Sequence, residues 1–183
     1  GAVEVRDAPS PAIHAGLLAA QTGNPFQPIR GLLGSDVLRN REDWRVIDNP
    51  FGEGGDPIVL IPAVHPDIAI FHAPMADRHG NVWIGRRREL AAMAYASRET
   101  LVTVERIVDE NLLANETTAA GTLPALYVTD IVEAPRGAWP YGLWGEYPTD
   151  TAEILRYSKA ARTDEGFAAY MAEVSAPVLE AAQ

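Results

Sequence analysis

The chain has no cysteine. That removes disulfides, thiolate-held zinc and thiol nucleophiles together, and it fits a cytoplasmic protein. Long apolar runs are missing too. Ile58 to Val64 and Ile68 to Phe71 are strand-sized, well short of the ~20 residues that span a bilayer. No charged-then-apolar signal opens the sequence. Histidine is scarce, and no two of His14, His65, His72 and His79 stand at the i, i+4 spacing of a helical zinc site. No metal is expected. No Walker-type glycine loop is present. Basic residues are outnumbered, 15 against 25 acidic ones, for a net charge of −10. Such a balance argues against nucleic acid, where affinity comes from neutralising phosphates, and against an anionic membrane surface. An anionic ligand would need a local basic or backbone-amide site; otherwise the charge serves solubility.

What is present supports one globular domain, residues 1–183, with 47% hydrophobic residues for a sizeable core. Gly1 to Val5 reads as the start of a strand with almost no leader, which points to a piece supplied upstream or elsewhere. Ser10-Pro11 predicts a helix start, with Ser10 as N-cap and Pro11 at the first position. Ile13, Leu17 and Leu18 share a face of that helix, and Gly23 closes it. Residues 24–34 read as a Pro/Gly loop, and Ser35 or Asp36 caps a short helix through Leu38.

Strand signals follow at Trp44 to Ile47, Ile58 to Ile61, Ile68 to Phe71 and Val82 to Ile84. The second and third are continuous apolar runs, the pattern of strands buried on both faces of a parallel sheet. Arg88 to Ala96 reads as a helix, Thr100 to Val104 as a strand, Asp109 to Ala114 as a helical turn or two, and Leu126 to Val132 as a strand. Thr149-Asp150 caps a helix to about Arg162. Asp164 starts a last one, with a stripe of Phe167, Tyr170, Met171 and Val174, and Pro177 limits its run. Alternating strands and helices predict an α/β fold, layered α/β/α, with a mainly parallel sheet. Ligands in such folds sit outside the carboxyl ends of the strands. That directs attention to the loops after Ile61, Phe71, Val104 and Val132.

Four blocks are distinctive: Pro25 to Asp36; Ile61 to Ala73 running into Ala76-Asp77-Arg78-His79-Gly80-Asn81-Val82; Val102 to Val108; and Val132 to Ala138. In this order and spacing they resemble the A subunit of the family I CoA-transferases, the glutaconate CoA-transferase branch in particular. The resemblance runs from Val3 to about Val174, and it makes the chain the C-terminal two-thirds of such a subunit. Two departures stand out. Family A subunits carry about another hundred residues before this point, with early strands and a Gly-rich turn. Where the family often has Ala-His-Pro-Thr, this chain has Ala138-Trp139-Pro140-Tyr141, an aromatic in place of an imidazole, which would reshape an acyl pocket.

The resemblance implies transfer of CoA between carboxylic acids. A glutamate attacks an acyl-CoA thioester to give an anhydride, CoA captures the glutamate as an enzyme-bound thioester, and a second carboxylate takes the CoA. That glutamate belongs to the B subunit, so the implied partners are a B subunit, acyl-CoA and a carboxylic acid, with coenzyme A as substrate and covalent intermediate. Two rivals remain. One is a CoA-thioester ring-cleaving hydrolase on the same scaffold. Its members place a carboxylate near the start of the first helix, where this chain has Ser10 and Pro11. The other is a non-catalytic fragment or paralogue.

Several residues are candidates for the site. Glu105 ends a strand, as a local catalytic carboxylate or as a structural partner of a nearby arginine. Arg30, in its Gly/Pro-rich loop, either grips a carboxylate or CoA phosphate with its planar fork or staples the loop. Gly31, Gly34 and Ser35 either present amides to an anion or form an ordinary turn. Asp77, Arg78 and Asn81, with His79 and Gly80, form a tight polar turn that is structural or faces the site. His72, at a strand end, is the histidine placed to touch substrate. Arg86-Arg87-Arg88 meets CoA phosphates or is a solvated helix start. No Ser-His-Asp arrangement follows from the spacing.

Overall fold

The structure, a computed structural model, describes residues 3–181, with side chains described for 3–175. The chain divides into two compact units, Gly1–Ala134 and Pro135–Gln183. The first holds α1 (Ser10–Gln21), β1 (Phe26–Ile29), α2 (Asp36–Arg39), β2 (Arg45–Asp48), β3 (Pro57–Pro62), β4 (Ile68–Asp77), β5 (Val82–Trp83), α3 (Arg88–Ala96), β6 (Glu99–Val108), α4 (Glu116–Ala119), β7 (Thr122–Leu123), a 3₁₀ turn (Ala125–Tyr127) and β8 (Asp130–Glu133). The second holds α5 (Thr151–Ala160) and α6 (Asp164–Ala181). Among the described residues no helix is long and apolar enough to cross a membrane.

The α/β class holds. A five-stranded sheet runs β7-β5-β4-β6-β8, and its long pairings are parallel: β4 with β6, and β6 with β8. The short strands β5 and β7 pair antiparallel at the other edge. Phe71, Ala73, Val102 and Val104 pack one face of this sheet into a core with Ala91 and Ala94 of α3. The run Ile58 to Ile61 behaves differently from expectation. It lies in β3, the centre of a separate antiparallel sheet β1-β3-β2. Val59 and Ile61 are buried while Ile58 and Leu60 are half-covered. The alternation is that of a sheet with one dry face, set by α1 and Trp44, which form a second core with Val59 and Ile61.

Local departures have local causes. Pro9, not Ser10, takes the N-cap: it is extended, and its carbonyl accepts from Ala12 at 2.9 Å. Ser10 therefore enters the helix without a capping bond. The buried face of α1 is Ala12, Ala15, Gly16, Leu17 and Ala19, leaving Ile13 and Leu18 outside. Small residues win that face because α1 packs against α3, β1 and β3. Gly23 closes α1 as expected, with φ +70°.

The Pro/Gly loop contains β1, an edge strand, where Pro28 lacks a ladder donor at no cost to a second neighbour. Residues 109–114 form turns instead of a helix. The helical turn comes later, α4, because Asn115 caps it by accepting from Thr117 N. Leu126 sits 84% exposed in the 3₁₀ turn, and the strand begins only at Asp130. Val3 to Val5 form no strand; Gly1 and Ala2, also part of that expectation, lie outside the described residues.

In the second unit Asp150 caps α5 by accepting from Glu153 N, as the sequence predicts. Arg156 bonds Glu153 of α5 and Glu173 of α6, and Tyr157 meets Tyr170 edge to face at 5.3 Å. Helix α6 runs past Pro177, which was expected to limit its run, to Ala181. One missing amide near the end of a long helix does not end it. Within the stripe, Phe167 and Met171 stay exposed.

Candidate functional site

Strands β4 and β6 pair in parallel with His72 opposite Thr103. Side chains alternate along a strand. Phe71, Ala73, Val102 and Val104 turn to the α3 core, so His72, Thr103 and Glu105 share the opposite face. There they form a linked chain. His72 Nδ1 lies 2.8 Å from Thr103 Oγ1, and His72 Nε2 lies 2.6 Å from Glu105 Oε1. The side chains of His72 and Glu105 are each 10% exposed. Around them the face is apolar and open: Ile68, Ile70 and Val132 are 47%, 69% and 58% exposed. A hydroxyl, an imidazole and a carboxylate in line can move or hold a proton at the hydroxyl, which is the logic of an oriented base.

Thus two sequence candidates far apart in the chain, His72 and Glu105, are brought together. Thr103 was missed. Its signal was present: Thr103 and Glu105 stand two apart, alternating with the apolar Val102 and Val104, hence on one face. Only the register with β4 could add His72.

The Asp77 turn is a different object. Asp77 is 3% exposed. Its Oδ1 accepts from the amides of His79 (2.9 Å) and Asn81 (3.0 Å), and its Oδ2 from Asn81 Nδ2 (2.8 Å) and Leu112 N (3.0 Å). Burial would raise the Asp77 carboxyl, but these four bonds outweigh it and hold it below its ordinary value. Asn81 Oδ1 in turn accepts from Ala125 N at 3.0 Å. Asp77 and Asn81 therefore tie the β4–β5 turn to the loop before α4 and to the 3₁₀ turn. Gly80 makes the turn with φ +88°. Arg78 points outward and pairs with Asp109.

Arg30 makes a two-pronged pair with Asp56, the second contact at 2.8 Å. The guanidinium, with Asn49 beside it, pulls the Asp56 carboxyl down to about 2. Gly31, Gly34 (φ +77°) and Ser35 form the turn into α2, where Ser35 Oγ accepts from Leu38 N at 3.3 Å. The structure does not bring Arg30 to His72 or to Asp77 through any bond; its partner is Asp56. Arg86, Arg87 and Arg88 are exposed at the start of α3. In the second unit Trp139 donates its indole N–H to Asp150 Oδ2 at 3.2 Å, so the aromatic that replaces the imidazole braces the cap of α5. Among the described residues no group of three or more His, Cys, Asp or Glu could hold a metal ion.

Comparison with known proteins gives one family. Its sequence profile, described as Coenzyme A transferase, matches residues 1–134. The chain is 32% identical over 160 residues to the A subunit of the 3-oxoadipate CoA-transferase of Pseudomonas knackmussii, covering 85% of this chain and 54% of that protein. It is 30% identical over 190 residues to the A subunit of the glutaconate CoA-transferase of Acidaminococcus fermentans, covering 94% and 58%. The crystal structure of that glutaconate coenzyme A-transferase superimposes with a TM-score of 0.81 at 29% identity, over 92% of this chain and 57% of that one. A cholesterol ring-cleaving hydrolase IpdA subunit of Rhodococcus jostii is 31% identical over 180 residues, covering 94% and 60%. The chain thus spans a little over half the length of these relatives.

Proposed function

The chain belongs to the coenzyme A transferase family, and from that premise we propose that it serves as the A subunit of an acyl-CoA:carboxylate CoA-transferase. In this reading CoA moves between carboxylic acids through a glutamyl-CoA intermediate carried by a partner B subunit, in the cytoplasm. The observation that carries it is identity of 30–32% along 85–94% of the chain to two proteins named as CoA-transferase A subunits.

The residues available here suit a supporting role. Glu105, the local carboxylate candidate, is largely buried and bonded to His72. We therefore assign the covalent chemistry to the partner's glutamate and substrate contact to the open face around His72. Arg30, Arg78 and the turn from Gly31 to Ser35 are proposed contacts for the anionic parts of acyl-CoA at the surface. For Arg30 and Arg78 that requires exchanging the present partners, Asp56 and Asp109, for ligand. Asp77 and Asn81 shape the turn that carries Arg78.

A second reading, the ring-cleaving hydrolase, is favoured by the IpdA relative. Against it, the first turn of α1 holds no acidic residue. The test is native mass spectrometry of the protein purified gently from its own cells, followed by assay with an acyl-CoA donor and acetate. A second chain of similar size, and acetyl-CoA as product, are expected. A lone 19.8 kDa species overturns the subunit reading. An assembly that opens a CoA-linked ring and makes no acetyl-CoA favours the hydrolase.

A further inference from the structure

We propose that Thr103 is the group on this chain that meets the acyl ligand's oxygen, and that His72 and Glu105 are positioning residues that set which way its hydroxyl points. The inference rests on the acyl-CoA:carboxylate reading above and adds to it a residue, an atom and a ligand class. The ligand is a carboxylate, or a thioester carbonyl, with an apolar acyl chain.

The argument is one of hydrogen-bond inventory. A threonine hydroxyl has one proton to donate, and a neutral imidazole has one donor and one acceptor nitrogen. Glu105 Oε1, at 2.6 Å from Nε2, can only accept when ionised, so the Nε2 proton is fixed there. If the ring carries that proton alone, Nδ1 is an acceptor. Thr103 Oγ1 at 2.8 Å must then spend its proton on the ring. If the ring carries both protons, Nδ1 donates to Thr103 Oγ1, and the threonine proton is released to point away. Only in the second arrangement does the open face present an O–H donor. A ligand oxygen bearing negative charge selects that arrangement, so its binding draws one proton from solvent onto His72. Other ionisable groups on this face are Glu99 of β6 and Asp130 of β8, by strand alternation with Glu105 and by pairing with Leu101. Both are exposed.

The surroundings fit the ligand class. Ile70 flanks His72 on β4 and Val132 pairs with Thr103 on β8. Both stand open. An acyl chain lying across them puts its carboxyl or thioester head over the Thr103 hydroxyl, and exclusion of water there strengthens the bond.

The experiment uses the assembly with its partner subunit, labelled with ¹⁵N at the histidine rings. The His72 signals are assigned by their loss in His72→Gln. Sodium hexanoate is the probe. The expected result is a shift of the His72 Nδ1 signal toward the protonated form on adding hexanoate at constant pH. The shift is kept in Thr103→Ser and abolished in Thr103→Val. In CoA transfer, Thr103→Val raises KM for the carboxylate about tenfold or more, the worth of one hydrogen bond to a charged group, and Thr103→Ser restores it. A His72 ring that ignores hexanoate in an assembly that transfers CoA overturns the proposal and leaves the transferase reading standing. Equal loss in the serine and valine variants also overturns it, because the hydroxyl is then not what matters. A wild-type assembly that transfers no CoA sinks the reading itself, whatever the ring does.

Discussion

Asp77→Asn isolates the charge of a buried carboxylate at constant shape. The native carboxylate accepts four hydrogen bonds, three of them in buried surroundings: Asn81 N, Asn81 Nδ2 and Leu112 N. If the amide oxygen takes the place of Oδ1, the His79 and Asn81 amides keep a partner. The new NH₂ then faces Leu112 N–H and Asn81 Nδ2, donor against donor. Each buried donor left without an acceptor costs about 1–3 kcal/mol. Two such donors, plus weaker bonds to a neutral acceptor, give a loss of about 3–5 kcal/mol. Asp77→Ala, which strips all four, costs at least as much. Against a typical total stability of about 5–15 kcal/mol, either change is severe.

Urea unfolding followed by circular dichroism measures it. With m near 2 kcal/mol/M, a loss of about 3 kcal/mol lowers the midpoint by about 1.5 M. The pH dependence gives an independent sign. Asp77 is held below its ordinary value when folded, so its contribution is complete above the ordinary carboxylate pKa of about 3.9. It is lost as pH falls through the lower folded value. The gap between wild type and Asp77→Asn is therefore full at neutral pH and closes only in strong acid. An Asp77→Asn protein within about 0.5 kcal/mol of wild type at pH 7 refutes the account of the turn.

Leu112→Ala removes a fully buried side chain whose own amide is bound by Asp77; a loss of about 2–5 kcal/mol is expected in the same urea assay, and under 1 kcal/mol contradicts the packing. Gly80→Ala forces a side chain onto φ +88° with its Cβ 3.2 Å from the Ala125 Cβ. At about 1–2 kcal/mol it lowers the melting temperature by roughly 2–8 °C, and an unchanged melting point disproves the strain. Arg30→Ala frees Asp56, whose titration by carbon-detected NMR moves up from about 2 toward the ordinary range; a carboxyl that stays put shows that Arg30 is not its partner.

Much of the fold was legible because its signals are local. Arg88 to Ala96 is helix as expected, and the β-branched run at Thr100 to Val104 lies in β6. Asp150 and Ser35 cap their helices as their side chains predict. The failures are those where partners decide. Nothing in Ile58 to Ile61 says that its neighbours run antiparallel, and an apolar run reads alike in either sheet. Ala12, Ala15 and Ala19 outrank Ile13 and Leu18 on the buried face of α1 only because other elements press close there. The candidate site divides the same way. The Asp77–Asn81 turn is a contiguous motif and could be read directly. The link of His72 to Glu105 spans 33 positions and exists only through strand register.

The placement of that link separates it from mere packing. A parallel ladder meant only to be covered is filled with Val, Ile and Leu on both faces, and the α3 side of β4 and β6 obeys this with Phe71, Ala73, Val102 and Val104. On the other side the sequence holds Ile68, Ile70 and Leu101 to the same rule, leaves Glu99 exposed at the start of β6, and then breaks the rule further along at three positions linked through His72. Burying an imidazole and a carboxylate costs free energy even when they are paired, and apolar residues of similar volume are often neutral or better. Replacing the set together, His72→Leu with Thr103→Val and Glu105→Leu, should therefore leave stability unchanged or improved in urea unfolding while abolishing CoA transfer by the assembly. A triple variant that unfolds more easily than wild type, and transfers CoA at the normal rate once folded, would show instead that the three residues are there for the fold.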